Sequence, residues 1–575
     1  MADPTSPTTN TPPIPSGSTA PTSLGSGSQT QRQGSSAGSA ASSVDTTNPF
    51  RQGFPNPLRP LPQANFIVDA KDAESIGWWE PIQAAAMGYM KARGIAWNTV
   101  TLINRRNPRH EPSPNDLTIL ITAFHDAASD SWYLMLQDLQ AYLQDRGLTH
   151  LRVEIMDDRF ARMPDHFIVE SAHPLVYAWP GICDRIIRAL GPAPWFTLTA
   201  IRRGINKIPE NNPITVLITS PDPPSLYPIV ASIESICEDA NFVLKVEILE
   251  ESGLFAMDNP GEVTLDSSSF ANPISMGSSV SSKSVQDSSG TIGGGIVLSK
   301  GKFRVRTGVT NFHVMRTKSF PQMYVDSGLR PEQSFDVNVQ AVVPSNQDYR
   351  FNLGNQQSFL ENAIERPLAI AREEQDEKRI QLFESRKQTH CQLINELQTF
   401  NRDAGNLWAA SGFRIHPQNR FGIDWALIKL PEHRPTRNIL PTDAEFLALG
   451  AAELTNELSI ANMKLEEWSS ENVKAGEVVF KRGRTTGLTI GQFNSINPRV
   501  HLDGKICSAW QVVGQRGKPF CRKGDSGSFV IDSVGRWCAL IFASPYEDIG
   551  DAYVLPVDIL VADIESTTGG TVSLP

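Results

Sequence analysis

The sequence predicts a multidomain protein in which an N-terminal α/β domain precedes an all-β barrel half that carries a helical insertion. Two observations support this prediction. Short β-branched runs alternate with helical segments over residues 49–258, whereas short strands separated by glycine turns dominate residues 289–567. The Ser-rich, aperiodic stretch 259–288 between these two patterns is predicted to be a linker.

Both ends of the chain are predicted to lack regular structure. Residues 1–48 consist almost wholly of Ser, Thr, Pro, Gly, Ala and Gln. Such a composition cannot bury enough apolar surface to offset the entropy lost on ordering, so these residues predict a disordered tail. Residues 568–575 are predicted to form a flexible C-terminus.

The α/β domain contains two segments that look like weak copies of each other. Residues 117–122 read LTILIT and residues 214–219 read ITVLIT, and each run is followed by a helical pattern and a second β-branched run. Each segment therefore predicts a strand-helix-strand unit, and the pair predicts a mostly parallel sheet covered by helices. With no catalytic motif in it, this domain is interpreted as an interaction or regulatory module.

The helical insertion, residues 356–403, is charged, free of glycine and rich in helix-forming residues. Four apolar residues have roughly the spacing of a coiled-coil seam: Ile380, Phe383, Ile394 and Leu397. Lys387 and His390 interrupt that seam. The insertion either binds a partner protein or packs as an amphipathic helix on its own barrel, and the sequence favours packing.

Charge and composition narrow the class of partner. The 575 residues carry a formal net charge of -10, which provides no basic surface for nucleic acid or an anionic membrane. We therefore expect a protein or peptide substrate. The N-terminus lacks the pattern of a signal peptide and no long apolar run appears, so the expected location is intracellular, either cytoplasmic or nuclear. The six cysteines lack metal-ligand spacing and are expected to be reduced.

The loop after the strand 117–122 is compatible with either a metal site or a structural role. His125, Asp126 and Asp130 follow that strand and have side chains that can bind a metal. An Asp before a helix is more often an N-cap, so no metal is predicted. No glycine-rich phosphate loop follows any strand, and no cofactor is predicted.

The strongest candidate chemistry lies in the barrel half. Ser526 stands in Gly-Asp-Ser-Gly, His313 follows an apolar strand, and Asp424 precedes the apolar run 425–430. A serine hydroxyl is a poor nucleophile near neutral pH and needs an imidazole base, which in turn needs a carboxylate to orient it. Taken singly, Ser526 is also compatible with a hairpin turn, and His313 with a buried core histidine.

These motifs resemble those of the trypsin-like, chymotrypsin-fold serine peptidases, and the chain is similar to their intracellular fungal and bacterial members. The histidine motif Thr310–His313, the aspartate motif Asp424–Leu430 and the serine motif Gly524–Gly527 occur in the family's order, and the hairpin Lys481–Gly491 is also similar. The resemblance covers residues 289–567 and implies an all-β double barrel.

The resemblance also implies an activity and residue roles. The expected enzyme is a serine endopeptidase that works through an acyl-enzyme. His313 would be general base and then acid, Asp424 its orienting carboxylate and Ser526 the nucleophile. The backbone N–H groups of Gly524 and Ser526 would form the oxyanion hole.

Substrate preference is expected from residues around the serine. Phe520, six positions before Ser526, stands where the family often has the floor of its specificity pocket, and the lack of an acid there disfavours a Lys or Arg preference. A small or apolar residue before the scissile bond is expected, with Phe542, Ala543 and Ser544 pairing with substrate. The sequence also lacks the secreted-type activation motif, so pairing of a new N-terminal amine with Asp525 is not expected.

A different class of function remains open. In this alternative, the barrel and the α/β domain serve only for binding, as parts of a non-catalytic interaction protein. The complete set of three candidate catalytic residues in the family's order argues for the enzyme.

Overall fold

The computed structural model describes most of the chain beyond the N-terminal tail. The described residues are 43–44, 50–54, 58, 64–68, 73, 75–106, 111–125, 130–157, 164–251, 253, 263–265, 267–450, 460–471, 473–515, 518–544 and 550–575. The predicted disordered tail 1–48 lies outside these residues except for Ser43 and Val44, and most of the predicted linker 259–288 lies inside them.

The N-terminal region begins with a six-stranded sheet of order β1-β2-β6-β5-β4-β3. Its strands are β1 Ser43–Val44, β2 Arg51–Phe54, β3 Ala64–Phe66, β4 Trp97–Arg106, β5 Leu117–Ala123 and β6 Arg152–Met156. Helices Trp79–Ala92 and Ser131–Asp145 cover it with buried apolar side chains. Only β5 and β6, which the second helix connects, are parallel.

A second sheet contains β7 Asp165–Phe167, β8 Thr197–Gly204, β9 Ile214–Ser220 and β10 Lys245–Glu250. Its helices are Leu175–Leu190, Pro223–Leu226 and Val230–Asp239. β9 and β10 are parallel, and β8 is antiparallel to β9. The edge beside β8 is completed by a hairpin, Arg499–Leu502 and Lys505–Ser508, from the C-terminal half.

The prediction of one mostly parallel sheet is therefore wrong. Two separate sheets form, and each has a single parallel pair. The parallel pairs β5–β6 and β9–β10 are joined by long crossovers that contain a helix, whereas the short connections β4–β5 and β8–β9 join antiparallel neighbours. Helix-containing connections also join the antiparallel pairs β3–β4 and β7–β8, so a helix between two strands does not by itself specify parallel pairing. The repetition of the two strand-helix-strand units stays a prediction.

The C-terminal half is rich in strands, as predicted. Its first part contains β11 Ile274–Ser275, β12 Ser278–Ser282, β13 Gly290–Ile292, β14 Gly294–Lys300, β15 Phe303–Thr310, β16 Gln340–Val342, β17 Asp403–Ala410, β18 Arg414–Ile415, β19 Gly422–Ile423, β20 Ala426–Lys429 and β21 Thr436–Arg437. Its second part contains β22 Val478–Gly483, β23 Gly487–Phe493, β24 Arg499–Leu502, β25 Lys505–Ser508, β26 Trp510–Gly514, β27 Phe529–Asp532, β28 Trp537–Ala543, β29 Ala552–Pro556 and β30 Thr571–Ser573.

These strands form two main bodies. One is an eight-stranded sheet of order β13-β12-β16-β17-β20-β15-β14-β30, and the other is a closed barrel of order β22-β23-β26-β29-β28-β27. β28 is buried along its whole length, which explains its continuous apolar run WCALIFA. Barrel closure removes the exposed edges that an open sheet of this kind would leave.

Two predicted boundaries differ from the structure. β12 lies inside the predicted linker 259–288. Ser279, Ser281 and Ser282 in this strand are buried against neighbouring strands, whereas the prediction had them exposed to water. β30 lies inside the predicted flexible C-terminus 568–575, where it pairs with β14 and buries Val572. Backbone hydrogen bonds to neighbouring strands therefore hold both segments in place: β12 pairs with β13 and β16, and β30 pairs with β14.

The described residues of this half also form seven α-helices: Phe312–Met315, Gln322–Ser327, Asn346–Phe359, Arg366–Glu373, Glu377–Thr399, Asp443–Ala448 and Val557–Thr568. The helical insertion, predicted over 356–403, begins at Asn346 in the structure, where the Ser345 hydroxyl caps the first turn by accepting from the Asp348 N–H. A π-helical stretch, Leu360–Glu365, connects its first two helices.

The α/β region and the barrel half are joined. Residues 42–575 form one compact unit. Besides the β8–β24 pairing, the His166 ring lies 2.7 Å from the Asp551 carboxylate, and the Thr199 hydroxyl donates to Gln511 over 2.7 Å. No helix within the described residues is both long and apolar enough to cross a membrane.

Candidate active site

His313 lies on the short helix Phe312–Met315, directly after β15. Its Nδ1 is 2.5 Å from Asp424 Oδ2, and its backbone N–H donates to Asp424 Oδ1 over 3.1 Å. Both side chains are buried, with 1% and 0% of their surface exposed. The carboxylate thus holds the histidine at two points, which fixes the ring's position and favours a proton on Nδ1.

Asp424 is itself held from both sides, between β19 and β20. Its carbonyl accepts from the Asn311 side chain over 2.5 Å. The next residue, Trp425, donates its backbone N–H to the Ser411 hydroxyl and its indole N–H to Asp563, each over 2.8 Å. These bonds leave the Asp424 carboxylate little freedom to turn away from His313.

Ser526 lies in the loop Gly524–Gly527, just before β27. Its hydroxyl is 3.5 Å from the carbonyl oxygen of Phe542, at the end of β28, and 5% of the residue is exposed. Gly524 and Gly527 both have φ of 96°, a conformation that side chains disfavour. The sharp turns on either side of the serine therefore favour glycine at both of these positions.

β13 connects the serine loop to the histidine helix. The Thr291 N–H donates to the Ser526 carbonyl over 2.9 Å. A Cβ on Gly527 would lie 2.6 Å from the Thr310 hydroxyl, three residues before His313, and a Cβ on Gly290 would lie 2.4 Å from a Val314 methyl. The structure thus packs both elements against one strand.

Asp525 forms a buried ion pair that the sequence analysis missed. Its carboxylate lies 3.1 Å from Lys481 Nζ, and both side chains are fully buried. The same carboxylate accepts from the Thr485 N–H over 2.7 Å, the Thr486 hydroxyl over 2.7 Å and the Arg522 N–H over 3.0 Å. Lys481 is thus the cation that neutralises Asp525. In the sequence, Lys481 was marked only as part of the hairpin Lys481–Gly491, through its similarity to the hairpin of the peptidase family.

The residues predicted to bind substrate divide into two groups. Phe542, Ala543 and Ser544 lie at the end of β28, beside Ser526, and the Ser544 hydroxyl donates to the Asp551 carbonyl over 2.9 Å. Phe520 is fully buried among the apolar side chains of the barrel interior. Its place on the floor of a substrate pocket stays a prediction.

The candidate metal residues do not converge in the described part of the chain. His125 packs its ring between Phe50 and Trp132, with centroid distances of 5.1 and 4.8 Å. Asp130 stands at the N-cap position of helix Ser131–Asp145, and Asp126 lies outside the described residues. Within the described residues, no group of three or more His, Cys, Asp or Glu side chains is arranged to hold a metal.

Comparison with known proteins finds one matching family model and several similar solved structures. The model of a family described as peptidase family S64 matches residues 198–540. No curated protein matches the chain. Among solved structures, a glutamic-acid-specific serine protease that uses a histidine triad in substrate binding is 13% identical, with a TM-score of 0.25, covering 52% of this chain and all of that one.

Two further structures are similar at the same level. Protease A of Thermobifida fusca is 10% identical, with a TM-score of 0.26, covering 53% of this chain and 100% of its own. The active form of a protease from M. tuberculosis is 14% identical, with a TM-score of 0.24, covering 55% of this chain and 92% of its own.

Proposed function

The chain belongs to peptidase family S64, and from that membership we propose that it is an endopeptidase that cleaves peptide bonds through Ser526, His313 and Asp424. The prediction of a serine-type peptidase is confirmed by the family match. The observation that carries the residue assignment is the buried contact of His313 with Asp424, 2.5 Å between Nδ1 and Oδ2.

The proposed reaction follows from the chemistry of these groups. With Nδ1–H donating to Asp424, His313 Nε2 is the basic nitrogen and takes the Ser526 hydroxyl proton as the oxygen attacks the substrate carbonyl. The backbone N–H groups of Gly524 and Ser526 stabilise the oxyanion. His313 then gives its proton to the leaving amine, which departs as the acyl-enzyme forms, and water hydrolyses that ester by the same steps in reverse.

Substrate binding is proposed at the end of β28. Phe542, Ala543 and Ser544 lie beside Ser526 and beyond Leu540, the last residue of β28 that pairs with β27, so their backbone groups could pair with an extended peptide there. A small or apolar residue before the scissile bond remains the proposed preference.

The α/β region is proposed as a regulatory module. Its last described strand is followed by Glu251, whose buried carboxylate lies 3.6 Å from Lys523 Nζ, three residues before the nucleophile. His166 contacts Asp551 in the same half. We expect Glu251→Gln to change the rate at which Ser526 is labelled; an unchanged rate would remove this support.

A serine-reactive phosphonate tests the proposed activity. The wild-type protein should be labelled and Ser526→Ala should not, whereas Ser533→Ala, a serine on the β27–β28 turn, should label like wild type. No labelling of folded protein would favour the non-catalytic interaction protein, and labelling that persists in Ser526→Ala would show that Ser526 is not the reactive serine.

Kinetics test whether the residues act together. His313→Ala and Ser526→Ala should each remove nearly all peptidase activity, and the double variant should be little worse than either, because residues of one catalytic unit are not additive. Losses that multiply would show that the two residues do not share a mechanism.

A further inference from the structure

Asp348, in the first turn of the helical insertion, is fully buried and paired with Arg484. Arg484 Nε lies 2.9 Å from Asp348 Oδ2, its Nη2 contacts Oδ1, and neither side chain has exposed surface. The hydroxyls of Ser345 and Ser289 donate to the same carboxylate over 3.1 and 3.3 Å, and Ser279 also contacts it. A buried ion pair is costly unless its hydrogen bonds are satisfied, and here they are.

Arg484 lies directly against the serine loop. A Cβ on Gly524 would lie 2.7 Å from Arg484 Nη1. Arg484 Nη1 donates to the Thr485 hydroxyl over 3.1 Å, and that hydroxyl donates to the Lys523 carbonyl over 2.7 Å. A continuous series of hydrogen bonds thus runs from Asp348 to the peptide group that precedes Gly524.

A second series of hydrogen bonds reaches the same loop. The Arg484 backbone N–H donates to the Thr291 hydroxyl over 3.0 Å, and that hydroxyl donates to the Gly524 carbonyl over 2.9 Å. The carbonyls on both sides of Gly524 are therefore held by hydroxyls that Arg484 itself contacts.

We propose that Asp348 is a positioning residue for the peptidase reaction, acting through Arg484 to hold the Lys523–Gly524 peptide. In a trans peptide the C=O and N–H point in opposite directions, so a Lys523 carbonyl held toward Thr485 turns the Gly524 N–H the other way. That N–H is the oxyanion donor of the proposed function, on which this inference rests. The helical insertion thereby contributes to catalysis without touching substrate.

The decisive measurement separates transition-state stabilisation from folding. For Asp348→Asn, kcat per phosphonate-titrated site should fall about tenfold or more, since loss of one oxyanion donor costs roughly 10²–10³ in rate. KM should stay within about twofold, and the affinity of a peptide boronate, whose tetrahedral adduct needs the same donor, should fall by the factor lost in kcat/KM. The matched control is Glu384→Gln, an exposed carboxylate of the same insertion paired with Arg372, which should leave all three values unchanged.

A second variant keeps the test decisive if Asp348→Asn does not fold. Thr485→Val removes the hydroxyl that holds the Lys523 carbonyl, leaves both buried charges in place, and should lower kcat and boronate affinity together. The inference is overturned if Thr485→Val, or a folded Asp348→Asn, keeps the kcat and the boronate affinity of the wild-type protein. In that case the proposed function still stands, provided that the phosphonate labels the wild-type protein and does not label Ser526→Ala. Labelling that survives in Ser526→Ala would overturn both.

Discussion

Replacing Lys481 by Met tests whether the buried Lys481–Asp525 pair determines the stability of the serine loop. Removing one partner of a buried pair typically costs about 3–5 kcal/mol, because the remaining charge is left in the interior uncompensated. Asp525 keeps hydrogen bonds from Thr485, Thr486 and Arg522 in the variant, so we expect the lower end, about 3 kcal/mol of unfolding free energy.

The assay is urea unfolding followed by tryptophan fluorescence, with phosphonate labelling of the same samples. The matched control is Lys505→Met, whose partner Asp326 lies 4.0 Å away with both side chains about half exposed, and which should cost at most about 1 kcal/mol. Adding Asp525→Asn to Lys481→Met should restore part of the lost stability, since it removes the uncompensated charge. The reasoning is refuted if Lys481→Met unfolds at the same urea concentration as Lys505→Met.

Three further results are expected. Burial alone would raise the pKa of Glu154, but Arg51 and Arg105 lower it to about 2. Its contribution of about 3 kcal/mol is therefore present above the unfolded pKa of 4.5 and lost as pH falls toward 2, and Glu154→Gln should flatten that part of the stability–pH curve. Of the six thiols, Cys391 is exposed and five are buried, and burial raises the pKa of the buried thiols, for example Cys507 to about 12; a thiol reagent should modify one group quickly in native protein and none in Cys391→Ser. Replacing residues 360–399 with a short Gly-Ser linker should keep the fold and phosphonate labelling, because helix Asn346–Phe359 with Asp348 remains and the free energy of loop closure changes by only about 0.6 kcal/mol per doubling of loop length. Loss of labelling in folded protein would show that the replaced residues support the serine loop directly.

Local pattern was enough to predict the candidate catalytic residues and the kind of structure that carries them. The sequence indicated His313 after an apolar strand and Asp424 before one, because the ends of a strand depend on nearby residues. The structure brings these two side chains together. Gly524 and Gly527 were readable as turn residues for the same reason, and both have positive φ.

Contacts between distant segments could not be predicted in this way. Asp348 and Arg484 are 136 residues apart, Lys481 and Asp525 are 44 apart, and nothing near either member of a pair specifies its partner. Strand pairing could not be predicted either. β24 of the C-terminal half pairs with β8 of the α/β region, so the sheet to which both halves contribute was not predicted.

The sequence by itself therefore determined the strand-rich C-terminal half, the helical insertion and the order of the candidate catalytic residues, since these depend on periodicity and short motifs. The tertiary structure alone decided which charges neutralise one another, which strands share a sheet and how the insertion reaches the serine loop through Asp348 and Arg484. The physical reason is that a buried charge or an unpaired strand edge must be satisfied by whatever group the folded chain brings beside it, and that group can come from any position in the sequence.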